Sequence, residues 1–208
     1  MSILNKLVTQ LNRNDEEPNI ELARELVSDN NLEGIKEVIE HLTVKDKKIQ
    51  QDCIKVAYEI GEIKPELISE YTLHFIDLLK SRYNRLVWGA MTALSKIAHL
   101  TSEVIMEHIE VLFSAMKIGS VITIDKGVLT LAKVASINKE NSERIFPFLL
   151  NHLETCRSKE VPQHSESTLI AVTDDNKEAF LQVLRKREPQ LTEPQAKRIK
   201  KIYKILGL

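Results

Sequence analysis

The segment AMTALSKIAHL, residues 90–100, places large and small apolar residues on one face of a predicted helix. Leu94 and Ile97 have equivalents at a spacing of 37 residues, which are Ala57 and Ile60 before them and Leu131 and Val134 after them. The small residues keep the same spacing in two sets, which are Cys53, Ala90 and Gly127, and Gly61, Ala98 and Ala135. Self-similarity at a fixed spacing predicts a repeat architecture, in which each unit closes over its neighbour.

A second apolar set repeats at the same spacing and has the i, i+3, i+4, i+7 order of a helical stripe. Fifteen of its sixteen positions are apolar: Ile35, Val38, Ile39, Leu42; Thr72, Phe75, Ile76, Leu79; Ile109, Leu112, Phe113, Met116; Phe146, Leu149, Leu150, Leu153. Each unit is therefore predicted to hold two helices. The second helix carries the small residues, which let a neighbouring helix approach closely. In the first repeat, Glu16 and Arg24 stand at the positions where the later repeats have small residues.

The predicted architecture is all-α, with about six helix pairs in a single domain over residues 1–208. The helices are expected at 2–13 with 18–29, 31–43 with 46–62, 65–80 with 83–99, 102–117 with 121–137, 139–155 with 161–174, and 176–188 with 192–206. Pro147 falls inside one of these helices and is expected to kink it.

Composition supports this prediction and excludes several classes of protein. Only six glycines and six prolines in 208 residues argue against a β-sandwich, which needs frequent turns. Two cysteines are too few for a disulfide framework. The N-terminal segment lacks the pattern of a signal peptide, and no run approaches the roughly 20 apolar residues of a membrane span. A cytoplasmic protein is expected.

Three segments carry a resemblance to a known family: QQDCIKVAYEIG (50–61), LVWGAMTALSKIA (86–98) and IDKGVLTLAKVA (124–135). Together with the paired helices and short loops, they resemble the HEAT-repeat superfamily and its armadillo relatives. The resemblance implies a right-handed α-α superhelix whose second helices line a concave groove. It also implies that the groove binds a protein, a peptide or a nucleic acid.

The exposed positions of the predicted second helices give a candidate binding surface. Trp88 is the only tryptophan, and its repeat equivalents, Gln51 and Asp125, are polar. A tryptophan at a polar position suggests a binding anchor, whereas the alternative is that it covers a seam between repeats. The candidate binding residues are Lys55, Tyr58, Arg85, Trp88, Thr92, Lys96 and Asp125.

A non-enzymatic scaffold that binds protein is the favoured function, and a nucleic-acid binder is the alternative. Some HEAT-like proteins are DNA glycosylases for alkylated bases, and their site resembles a cluster of aromatics with a carboxylate and an arginine. Trp88, Arg85 and Asp125 could mimic such a site. One turn after Trp88, however, stands Thr92 rather than an aspartate, and there is no second tryptophan.

No catalytic, cofactor or metal site is predicted. Phosphate-binding loops and nucleophile elbows are absent from the sequence. The six histidines form no HxxxH or HExxH pair, and His152 with Cys156 supplies two ligands only.

The C-terminal segment is strongly basic, because residues 177–208 hold nine Lys or Arg against three Asp or Glu. One interpretation is a solubilising cap on the last repeat. The other is an anion-binding end for nucleic acid or an acidic partner. Its candidate residues are Arg185, Lys186, Arg187, Lys197, Arg198 and Lys201.

Overall fold

The computed structural model describes residues 2–208, and within them it contains thirteen α-helices, four short 3-10 helices and no strand. The α-helices are α1 Glu17–Ser28, α2 Leu32–Glu40, α3 Lys47–Ile63, α4 Glu66–Ser69, α5 Thr72–Leu78, α6 Asn84–Ile97, α7 Ser102–Glu107, α8 Ile109–Ile118, α9 Val121–Ala135, α10 Lys139–Thr155, α11 Val161–Thr168, α12 Lys177–Arg187 and α13 Glu193–Ile205. The 3-10 helices are Ile3–Lys6, His41–Thr43, Leu169–Ala171 and Glu188–Gln190. The predicted all-α class is confirmed.

The chain forms two compact units, of which the first ends at Gly127 and the second begins at Val128. In the first unit, α3 is central, because it packs against both α1 and α6. The repeat positions Ile60 and Ile97 are fully buried in this unit. Val134, their equivalent in the second unit, is fully buried too, so the spacing of 37 residues marks core positions in both units.

Gly61 shows why the repeat needs small residues. A Cβ atom at this position would lie 2.7 Å from Cδ1 of Ile68 on α4 and 3.2 Å from Cβ of Lys96 on α6. Two neighbouring helices therefore come within contact distance of the α3 backbone here. This close approach matches the role predicted for the small positions.

The helix predicted over residues 2–13 is wrong, because only the 3-10 helix Ile3–Lys6 forms there. The backbone amides of Val8 and Thr9 donate to side-chain oxygens of Asn19 and Asp52, at 3.1 and 2.9 Å. These two amides are therefore not available for the i→i−4 hydrogen bonds of an α-helix. Asn12 then adopts a positive φ of 52°, which ends any helical continuation.

Two other predicted helices are each divided in the structure. The 65–80 segment breaks at Tyr71, between α4 and α5, and the 102–117 segment breaks at His108, between α7 and α8. Tyr71 and His108 are 37 residues apart, so the break itself follows the repeat. At the first break, the Thr72 hydroxyl donates to the carbonyl oxygen of Ser69 at 2.6 Å.

In the second unit, α10 packs against α12, and α11 packs against α13. The rings of Phe146 on α10 and Phe180 on α12 lie 6.5 Å apart between their centroids, at the core of this unit. The α10 helix continues through Pro147, whose side chain is exposed. The predicted 161–174 helix is shorter than expected, since α11 ends at Thr168 and a 3-10 turn follows.

Candidate binding surface

A cleft of about 280 Å³ lies on the first unit, at the side chains of α3, α6 and the first turns of α9. It contains four of the seven candidate binding residues. The lining residues are Tyr58, Glu59, Glu62, Trp88, Thr92, Lys96, Ile122 and Lys126. Because α3 and α6 are neighbours, residues one turn apart on each helix come together along one surface.

Trp88 stands at the centre of an aromatic and cationic cluster. Its ring centroid lies 6.0 Å from that of Tyr58, with an interplanar angle of 44°. The guanidinium carbon of Arg85 lies 4.4 Å from the centroid of the Trp88 ring, and Lys55 Nζ lies 5.0 Å from that of Tyr58. Cation–π contacts of this kind contribute about 0.5–2 kcal/mol each. The tryptophan is half-buried, so part of its ring stays open to a partner.

Glu16 links the two cations of the cluster, although the sequence pattern marked it only as an interruption. Its carboxylate accepts from Arg85 Nη2 at 2.7 Å and from Lys55 Nζ at 3.0 Å. Lys55 Nζ also donates to Glu59 at 2.7 Å. A charged residue at a small repeat position was the signal for this network, together with the i, i+4 spacing of Lys55 and Glu59.

The ion network fixes the charge state of its members. Burial of Glu16 raises its pKa, but hydrogen bonds from Arg85 and Lys55 outweigh that effect and lower the pKa overall. Burial of Lys55 opposes its charge, but the hydrogen bonds to Glu59 and Glu16 raise the pKa of the lysine overall. Burial raises the pKa of Tyr58, so its hydroxyl remains protonated near neutral pH.

Several candidates lie deeper than exposed groove positions would. Lys55 and Tyr58 are 7% and 9% exposed, and the buried Thr92 donates its hydroxyl to the carbonyl oxygen of Trp88 at 2.8 Å. Lys96 forms an ion pair with Glu62 at the rim of the cleft. Asp125 is half-buried on α9 and is not among the residues that line the cleft. Four of the seven predicted residues thus lie together at the cleft, and Trp88 is half-buried there.

The C-terminal basic cluster is extensively ion-paired. Four of its six candidates pair with carboxylates of the second unit: Arg185 with Glu178 at 3.1 Å, Lys186 with Glu154 at 3.2 Å, Lys197 with Glu193 at 2.7 Å and Arg198 with Glu166 at 2.6 Å. The Arg198 pair uses both Nε and Nη2, so it is bidentate. Lys201 is exposed on α13.

Arg187 differs from the other members of the cluster, and its prediction as an anion-binding residue is wrong. Its side chain is only 5% exposed, and the guanidinium donates to the carbonyl oxygens of Leu153, Glu154 and Cys156. The distances to Leu153 and Cys156 are 3.0 and 2.7 Å. Arg187 therefore satisfies the free carbonyls at the end of α10 and is not placed to bind a surface anion.

Within residues 2–208, every helix is too short or too polar to cross a membrane.

Comparison with solved structures places the chain among helical repeat proteins. A designed armadillo repeat protein, YIII(Dq.V1)4CPAF in complex with peptide (KR)4, aligns with a TM-score of 0.70 at 16% identity, over 98% of this chain and 99% of that one. An engineered protein aligns with a TM-score of 0.66 at 20% identity, over 97% and 95%. This chain has a HEAT/armadillo-like α-solenoid fold.

A natural protein shares the same solenoid fold. Kap121p bound to Pho4p aligns with a TM-score of 0.67 at 13% identity, over 96% of this chain and 22% of the karyopherin. The sequence matches no protein-family profile, and no curated protein matches it. Because these identities are low, the likeness establishes the solenoid fold, and function has to be argued from the site.

Proposed function

We propose that this solenoid is a non-enzymatic adaptor that binds a peptide segment of another protein at the Trp88 cleft. The observation that carries the proposal is a half-buried Trp88, backed by Arg85 and Tyr58, at the mouth of a cleft. Aromatic side chains held rigidly at the centre of an interface are the usual hot spots of protein binding. The resemblance implies a groove lined by the second helices of the repeats, and α3 and α6 correspond to predicted second helices. A peptide bound at Trp88 would lie across these two helices.

Solved solenoids of the same fold support this class of partner. The designed armadillo protein is in complex with a peptide, and Kap121p is bound to the protein Pho4p. A strongly basic peptide such as (KR)4 fits this cleft less well. The carboxylates that line the cleft, Glu59 and Glu62, already pair with Lys55 and Lys96. Trp88 and the exposed Ile122 instead favour a peptide that carries one bulky apolar side chain.

Peptide selection against the immobilised protein tests this function. We expect enriched peptides to share one aromatic or large aliphatic residue, and their binding to quench or shift the emission of the single tryptophan. Failure to enrich any peptide would contradict the proposal.

Duplex DNA provides the test of the alternative function. Arg85 covers one face of the Trp88 ring and is itself held by Glu16, so stacking of a nucleic-acid base on that face is blocked. Most cations of the C-terminal cluster are also paired. We expect no duplex binding at low salt. Binding that weakens steeply with salt would instead favour a nucleic-acid function.

A further inference from the structure

Three metal-ligating side chains converge in the second unit, away from the proposed peptide cleft. His152 and Cys156 lie one turn apart at the end of α10, and His164 lies on α11. One ligand atom from each residue lies within 4.8 Å of the other two. His152 Nε2 and His164 Nδ1 are 2.9 Å apart. The sequence revealed only the first two, because folding of the 157–160 loop is what brings in the third.

The loop between these residues is held in place by its own contacts. The amide and Nε of Arg157 donate to the Glu160 carboxylate, at 3.3 and 2.9 Å. On the other side, Arg187 Nη2 donates to the carbonyl oxygen of Cys156. Both ends of the short connection from α10 to α11 are therefore fixed. A site on such a support keeps its ligands close to one geometry.

The three side chains differ in how deeply they are buried. His164 is completely buried, whereas His152 and Cys156 are half-buried. An ion could consequently reach the cluster from the surface and be held against the interior. On α11, the Ser165 and Thr168 hydroxyls beside His164 are also buried, and neither has a hydrogen-bond partner. This face of the helix is more polar than packing alone requires.

We propose that His152, Cys156 and His164 form a zinc site, with His152 Nε2, His164 Nδ1 and Cys156 Sγ as ligands. Zinc prefers nitrogen and sulfur donors in tetrahedral geometry, and three protein ligands plus water is a common arrangement. Calcium and magnesium instead require oxygen donors. Zinc bonds of about 2.0–2.3 Å place tetrahedral donors roughly 3.4–3.7 Å apart. The observed separations are 2.9 Å between the two nitrogens and no more than 4.8 Å among the three donor atoms.

The protons balance without another reactant. In the metal-free protein Cys156 is a free thiol. On binding, the thiol releases one proton to solvent and the sulfur coordinates as the thiolate. Each imidazole remains neutral and carries its hydrogen on the nitrogen that faces away from the ion. The hydrogen bond between the two rings is replaced by the two metal bonds.

Cobalt and zinc titrations of the full chain, reduced and freed of metal with a chelator, test the site. We expect one Co²⁺ per chain, with the intense visible bands of tetrahedral cobalt and a thiolate-to-cobalt charge-transfer band. Zn²⁺ should displace Co²⁺ and raise the thermal midpoint of unfolding. Absence of the charge-transfer band, or weak octahedral spectra, would overturn the proposal.

Variants separate ligation from adventitious binding. Cys156→Ser and His152→Asn alter half-buried residues, so we expect both proteins to fold and to bind Zn²⁺ at least about 100-fold more weakly than the parent chain. Cys53→Ser changes the other, fully buried thiol and should leave the affinity unchanged. Equal zinc affinity in Cys156→Ser and Cys53→Ser would contradict the assignment. Peptide binding at Trp88 is measured separately, so either proposal can fail alone.

Discussion

Arg85 lies one helical turn before Trp88 on α6, and its guanidinium carbon stacks 4.4 Å from the centroid of the indole ring. Glu16, far away in sequence, holds the same guanidinium at 2.7 Å. One face of the indole is thus covered by a side chain that is itself tethered. The tryptophan is pre-organised for binding, because little side-chain freedom remains to be lost when a partner docks.

Arg85→Ala should expose this face of the indole. We expect the emission of Trp88 to move to longer wavelength and its quenching by iodide or acrylamide to increase. The free energy of unfolding should fall by about 0.5–2 kcal/mol, since a cation–π contact and an ion pair are lost. Arg82→Ala removes an exposed arginine three residues earlier and serves as the control. Identical emission spectra for the two variants would count against the stacked geometry.

Glu16→Gln should make the protein less sensitive to acid. The pKa of Glu16 is lower in the folded state than its ordinary value of 4.5, so the folded state binds fewer protons there. This contribution to stability is complete above pH 4.5 and disappears as the pH falls through the lowered folded pKa. Urea unfolding of the parent and Glu16→Gln chains should therefore differ more at pH 6 than at pH 3. Glu21→Gln removes an exposed carboxylate from the same helix and serves as the control.

The core of the fold was predictable from sequence because burial follows the period of the repeat. Ile60, Ile97 and Val134 were assigned to equivalent positions, and all three are fully buried. The breaks at Tyr71 and His108 were not predicted, since apolar spacing continues through both residues. The missing N-terminal helix has a similar origin: its apolar spacing is helical, but Asn19 and Asp52 take its backbone amides.

The candidate sites were harder to predict, because side chains distant in sequence complete them. Glu16 reaches Arg85 across 69 residues, and His164 reaches His152 from another helix. Charge alone was misleading for Arg187, which belongs to a basic run yet binds the end of α10. A residue's charge predicts its chemistry, but only the packing of helices decides which carbonyl or carboxylate it meets.

Arg187→Ala should destabilise the protein far more than removal of its neighbour. The change leaves buried carbonyl oxygens of α10 without their donor, and we expect a loss of about 2–4 kcal/mol in the free energy of unfolding. Lys186→Ala removes only an exposed ion pair with Glu154, which contributes about 0–1 kcal/mol. Both values can be read from urea titrations. Similar losses in the two variants would contradict the capping role of Arg187.

Gly61→Val tests the close approach of helices at the small repeat position. The added side chain would meet Ile68 and Lys96 within 3.2 Å, so we expect overpacking to cost about 1–3 kcal/mol. Lys48→Val places the same side chain at an exposed position of α3 and should change stability by less than about 0.5 kcal/mol. Equal thermal midpoints for the two variants would show that this contact tolerates a larger residue.

The most direct test of peptide binding is the affinity of a selected peptide for Trp88→Ala, measured by calorimetry. Leu73→Ala is the matched control, because it removes a large side chain that is 50% exposed and does not line the cleft. We expect Trp88→Ala to fold normally and to bind at least about 30-fold more weakly, as loss of a hot-spot residue predicts, while Leu73→Ala binds like the parent chain. Undiminished affinity in Trp88→Ala would contradict the account.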